Sequence, residues 1–88
     1  MNIEIIKTQV IEMLEELYAE KITDTSLHLI SDLAMDSLHM VMLLVMIEEV
    51  FEIELDESDM DPFALSTVGD VINLVAKYKI ESERIENG

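Results

Sequence analysis

Asp32-Leu33-Ala34-Met35-Asp36-Ser37-Leu38, with the apolar run that follows it to Phe51, is the stretch on which the reading of this chain turns. An acidic approach leads to one serine, and a dense hydrophobic segment begins at once. Asp and Ser at the point where a loop becomes a helix are N-cap residues, because their side-chain oxygens accept hydrogen bonds from the first free N–H groups. A serine there has a second capacity. Helix N-termini suit phosphate, since free amide donors and the macrodipole both point at it, so the hydroxyl is also a candidate modification site. The two readings are compatible.

The run predicts a helix that starts at Asp36 or Ser37. Leu38, Val41, Leu44, Val45, Glu48 and Phe51 fall on helical spacing, and Leu43 and Ile47 widen the stripe. From Leu38 to Ile47 only His39 is polar. A helix apolar nearly all round is either central to its bundle or presents apolar surface to a partner. In an 88-residue domain it can hardly be covered on every side. Some of Met40, Met42 and Met46 are therefore expected to be exposed, as a flexible and polarisable contact surface.

Upstream, Asn2 is placed to cap a first helix with Glu4 in its first turn. Ile3, Ile6, Val10, Met13, Leu14 and Leu17 make one helical face and Glu12, Glu15, Glu16 and Glu20 the other, ending near Ala19. Residues 21–35 lose the period. Thr23, Asp24, Thr25 and Ser26 are turn residues, and Leu29 and Leu33 are the expected pins of this long loop. Downstream, Glu52-Ile53-Glu54-Leu55-Asp56 reads as an extended linker and Glu57 to Asp61 as a short helical turn. Pro62 opens another, anchored by Phe63 and Leu65. Ser66 or Thr67 caps the last helix, whose face is Val68, Val71, Ile72 and Val75, with Leu74 and Tyr78 alongside. Asp70 in its first turn and Lys77 and Lys79 toward its end suit the dipole. The expectation is one helical domain over residues 1–80 and a polar, fraying tail over 81–88.

Composition bounds the function. Half the residues are apolar and only two Gly and one Pro punctuate the chain, which favours an all-α bundle. The net charge of −15, from 20 acidic and 5 basic residues, argues against nucleic acid and against an anionic membrane surface. It favours basic patches on partner proteins. With no cysteine there is no disulfide, no thiolate metal site and no thiol nucleophile. The start Met1-Asn2-Ile3-Glu4 is unlike a signal peptide, and the run from Met40 to Ile47 is too short to span a bilayer, so a cytoplasmic monomer is expected.

No catalytic set emerges. Asp36, Ser37 and His39 are the ingredients of a hydrolytic triad, but residues one and two apart on a helix do not face each other. Asp56, Ser58, Met60 and Asp61 resemble a calcium loop, yet the glycine of the sharp turn is missing and Met60 stands at a ligand position. What remains is one hydroxyl at a helix start on an acidic module without chemistry of its own.

The segment from Asp32 to Leu38 resembles the attachment motif of acyl carrier proteins, including its Asp-Ser-Leu core. The likeness continues through Val41, Leu44, Glu48-Glu49 and Phe51, then Ile53-Glu54-Leu55, then Ser66-Thr67-Val68, and covers the chain from the first helix to about Tyr78. The resemblance implies an all-α four-helix bundle, with three main helices and a short third one. It implies that Ser37, flanked by Asp36 and Leu38, carries covalent 4′-phosphopantetheine, installed from coenzyme A by a phosphopantetheinyl transferase. The chain itself would be no enzyme. The arm supplies the missing thiol, and acyl intermediates ride on it as thioesters. By position, Leu29, Val41, Leu44, Ile47, Leu65, Val71 and Ile72 are the implied lining of an acyl-chain pocket. Asp36, His39, Met40, Met42, Glu48 and Glu49 are the implied docking residues for acyl-activating or synthase enzymes with basic or apolar patches.

Three departures from the family pattern bear on its duty. Ala34 stands where the family usually has Gly, His39 and Met42 stand at positions that are typically acidic, and the stretch around Pro62 and Phe63 is longer. They point from housekeeping fatty-acid synthesis toward polyketide, modified-lipid or another dedicated pathway. The runner-up readings are an aminoacyl or peptidyl carrier, which shares the serine motif, then a carrier of housekeeping fatty-acid biosynthesis, and, from another class, an acidic helical adaptor in which Ser37 is only a cap.

Overall fold

The computed structural model describes residues 2–18, 21–61 and 64–87, with residues 18 and 81–87 by their backbone alone. Three α-helices make the architecture: α1 (Ile3–Tyr18), α2 (Ser37–Phe51) and α3 (Val68–Asn87). Between α2 and α3 lies a 3-10 turn, Glu57–Asp59, and farther on Ala64 is again 3-10, its N–H donating to the Asp61 carbonyl at 3.1 Å. The all-α class is as expected, but the count of four helices is corrected. Where a short third helix was expected, the described residues carry 3-10 backbone at Glu57–Asp59 and Ala64, and Pro62 and Phe63, expected to open and anchor a further piece, lie outside the described residues. The backbone of α3 stays helical through Asn87, past the point near residue 80 where a polar tail was expected to fray.

Each helix starts on a side-chain cap. The Asn2 side-chain oxygen accepts the Glu4 N–H at 2.8 Å, and Asp36 caps α2. At α3, Thr67 Oγ1 accepts the Asp70 N–H at 3.2 Å, while the Asp70 carboxylate accepts the N–H groups of Thr67 at 3.0 Å and Ser66 at 2.9 Å. This reciprocal box satisfies donors that the helix cannot.

The inward faces of α1 and α3 follow their spacing, except that Ile3, expected on the α1 face, is 49% exposed. Ile6, Val10, Met13 and Leu14 of α1 meet Val68, Val71, Ile72 and Val75 of α3 in one core, joined by Ala76. On α2 the buried residues are Met40, Leu43, Leu44, Ile47 and Phe51. The stripe expected from Leu38, Val41 and Val45 faces solvent, at 66%, 47% and 43% exposure. The helix is rotated from its expected setting because a segment apolar on all sides carries no polar face to orient it.

The long loop after α1 is pinned at both ends. The Ile22 N–H donates to Glu15 Oε2 at 2.9 Å, folding the chain back on α1. Farther on it pairs with the segment before α3: Gly69 N–H to the Thr25 carbonyl (2.8 Å), Val68 N–H to Leu27 (3.1 Å) and Leu29 N–H to Ser66 (2.9 Å). Leu29 and Leu33 are buried as expected, and Ile22 and Met35 are buried with them. Leu29 then accepts the Met35 N–H at 3.0 Å, which ties the start of α2 to the start of α3. Beyond the other end of α2, Tyr78 Oη accepts the Asp56 N–H at 2.9 Å and donates to Asp59. The two helices therefore run in the same direction and are clasped at both ends.

Candidate functional site

The turn ahead of Ser37 is built by backbone and one carboxylate. The His28 carbonyl accepts the N–H groups of Asp32 at 2.9 Å and Leu33 at 3.1 Å. The Asp32 carboxylate in return accepts the His28 N–H at 2.7 Å. Ala34 then takes φ 56°, the left-handed region that favours glycine, and reverses the chain toward α2. This is the position where the sequence departs from the resembled motif.

Asp36 is extended, with φ −92° and ψ 178°, and its Oδ1 accepts the His39 N–H at 2.9 Å. The His39 Nδ1 lies 2.9 Å from the same oxygen. The Asp36 carboxyl is held below its ordinary range, first by the His39 backbone N–H; burial opposes this, and the His39 imidazole and the Leu38 N–H lower it further. Ser37 follows as the first residue of α2 and is exposed. Leu38 beside it is exposed as well.

This arrangement fits a phosphodiester. The hydroxyl stands clear of the core at the positive end of a helix of 15 residues, where free amide donors and the macrodipole favour negative charge. The neighbouring Asp36 carboxylate is already engaged by the backbone N–H and ring of His39.

Of the implied pocket residues, Leu29, Leu44, Ile47, Leu65, Val71 and Ile72 are buried and belong to one core cluster. Val41 does not join them; at 47% exposure it sits on the outer face of α2, a consequence of the helix rotation. Of the implied docking residues, Asp36 and Glu49 are exposed, Met42 is 43% exposed and His39 is half-buried. Met40 is fully buried and cannot touch a partner, so it is corrected from docking surface to core. Met46 is half-buried against the core. Glu48 has an internal duty: its Oε2 accepts the Leu55 N–H at 3.0 Å, and its carbonyl accepts from Glu52 and Ile53. Val45 and Leu38 were missed as surface residues, and no signal in so uniformly apolar a run separates them from the core. A shallow open groove of about 280 Å³ lies between the first turns of α1 and α3, lined by Ile3, Lys7, Thr25, Gly69, Ile72 and Asn73. It shares only Ile72 with the implied pocket. Among the described residues, no helix is long and apolar enough to cross a membrane.

Against known families, the chain matches the model described as phosphopantetheine attachment site over residues 8–75. The match runs from within α1 to the middle of α3 and includes the turn before Ser37, the Asp36 cap and Leu29, Leu44, Ile47, Leu65, Val71 and Ile72.

Proposed function

The chain belongs to the phosphopantetheine-attachment family, whose domain is the site of covalent 4′-phosphopantetheine attachment, and on that premise we propose that it is an acyl carrier protein with Ser37 as its attachment point. The observation that carries the reading is the placement of Ser37: exposed, first in α2, beside a capping Asp36. A phosphopantetheinyl transferase would join the Ser37 oxygen to the pantetheine-bearing phosphorus of coenzyme A, breaking the pyrophosphate P–O bond and releasing adenosine 3′,5′-bisphosphate, with the hydroxyl proton taken up by a base of the transferase. When bound, the group supplies a thiol that holds an acyl cargo as a thioester.

The chain's own residues do the rest. The Asp32 turn and Ala34 present Ser37 outward, and Asp36 fixes the first turn of α2. The buried cluster of Leu29, Leu44, Ile47, Leu65, Val71 and Ile72 is the apolar space available to a cargo. A dedicated rather than housekeeping pathway is supported by the outer face of α2, where Met42 and neighbouring apolar residues stand in place of acids.

Intact mass after incubation with coenzyme A and a broad phosphopantetheinyl transferase tests the reading. One added arm on the wild type and none on Ser37→Ala is expected. No mass change with several transferases would overturn it, as would an arm retained by Ser37→Ala.

A further inference from the structure

We infer that the open groove between the first turns of α1 and α3 is a binding site for a carboxylate on a short aliphatic stem. Its walls are Ile3 and Lys7 of α1, Thr25 of the pinned loop, and Gly69, Ile72 and Asn73 of α3, around about 280 Å³. The lining holds one charged residue, and it is basic. In a chain of 20 acidic and 5 basic residues that is the rarer sign. Among the described residues Lys7 has no carboxylate partner, whereas Lys77 meets Asp59 at 3.3 Å. The Lys7 ammonium, the Thr25 hydroxyl and the Asn73 amide are all donors that suit a carboxylate. Ile3 and Ile72 offer the apolar wall that a stem needs. Gly69 points the same way. Its φ is not positive, and a methyl there would meet the Thr25 carbonyl oxygen at 3.4 Å and Thr67 Oγ1 at 3.6 Å, which is ordinary contact. Neither backbone nor packing requires glycine in this turn, where alanine is the better helix former. What glycine does here is leave the groove open.

A carboxylate of this class comes from two sources. One is a free acid in solution; the other is the far carboxylate of a diacid cargo tethered at Ser37. Only the second rests on the proposed role of Ser37. Backbone hydrogen bonds tie the groove to the start of α2 through one stretch of loop: Gly69 N–H to Thr25, Val68 N–H to Leu27 and Met35 N–H to Leu29. A shallow groove holds a small acid with a Kd on the order of a millimolar. A tether supplies an effective concentration of about that size.

The test follows the backbone amide shifts of Thr25 and Asn73 by NMR in wild type, Lys7→Met and Gly69→Ala. In one arm the unmodified chain is titrated with hexanoate and, at equal ionic strength, with hexanol. In the other the chain is loaded from the coenzyme A thioester of adipate or of hexanoate by a broad phosphopantetheinyl transferase, with loading read by intact mass. Both variants should keep the wild-type spectrum away from the groove, since Lys7 is exposed and a methyl at residue 69 fits. The expected result is a shift at both amides that needs the carboxylate, weakens about tenfold in each variant and falls with added salt. Saturation by free hexanoate assigns the site to a free acid, and shifts with the adipate arm alone assign it to the cargo. Shifts that in neither arm depend on the carboxylate, or that both variants leave intact, overturn the inference, as does their absence from both arms. If the chain takes no arm, the role of Ser37 falls, and the hexanoate titration alone decides the groove.

Discussion

Ala34 pays a conformational cost at φ 56° that glycine would not. A side chain in the left-handed region costs about 1–2 kcal/mol, while glycine gives back roughly 0.5–1 kcal/mol through the entropy of the unfolded chain. Ala34 is exposed, so its methyl contributes no packing to offset this. Ala34→Gly is therefore expected to leave stability level or raise it by up to about 1 kcal/mol in urea denaturation; a loss of that size would show that the turn is not strained. At this scale the sequence was uneven as a guide. Ser37, Asp36 and the Thr67–Asp70 box are legible because short polar side chains beside an apolar run have few other uses. Met40 was not, since methionine suits a core and a contact surface alike. Glu48 was half legible: its acidity is plain, but the Leu55 N–H that occupies its carboxylate at 3.0 Å comes from a contact that only folding creates.

Tyr78 joins two elements that the chain separates. Its hydroxyl accepts the Asp56 N–H and donates to Asp59, holding the 3-10 turn against α3. Lys77 adds an exposed contact to Asp59 at 3.3 Å, which is worth little in water. The phenol is raised above its ordinary 10.0, first by burial and then by its bond to Asp59. The folded state thus holds that proton more tightly, so the clasp is complete at neutral pH and its stabilisation is lost only as pH rises past 10. Tyr78→Phe should cost roughly 1 kcal/mol in urea denaturation and speed hydrogen exchange at the Asp56 amide. Unchanged exchange would mean that the turn is held by Leu55 and Met60 alone. The helices α1 and α3 are legible element by element because each has a polar side that points outward. The rotation of α2 is not, because it depends on residues far apart in the chain, Leu29, Leu55 and Phe51 among them, that come into one buried cluster only on folding.

For the whole molecule two effects of charge oppose each other in acid. Asp24, Asp36, Asp59 and Asp70 are all held below the ordinary carboxylate value of 3.8, chiefly by hydrogen bonds: Ser26 N–H for Asp24, His39 N–H for Asp36, the Tyr78 hydroxyl for Asp59 and Thr67 N–H for Asp70. The unfolded chain binds these protons more readily, so their stabilisation is full above 3.8 and is lost as pH falls through the lower folded values. The net charge of −15 acts the other way, since protonation relieves self-repulsion. The melting temperature should therefore rise from pH 7 toward about pH 5 and drop below the carboxylate range. Added salt should flatten the rise and leave the drop; a profile indifferent to salt at pH 7 would count against repulsion as the cause. The two apolar faces of α2 carry a last consequence, for the folding landscape. Turned half round, the helix would still offer the bundle Leu38, Val41, Met42 and Val45, so hydrophobic burial alone leaves a competing minimum close to the native one. Phe51, which has no aromatic counterpart on the outer stripe, and the polar ties at either end of the helix open the gap between them. The apolar face that α2 turns to solvent is thus also a source of frustration in the folding of the chain.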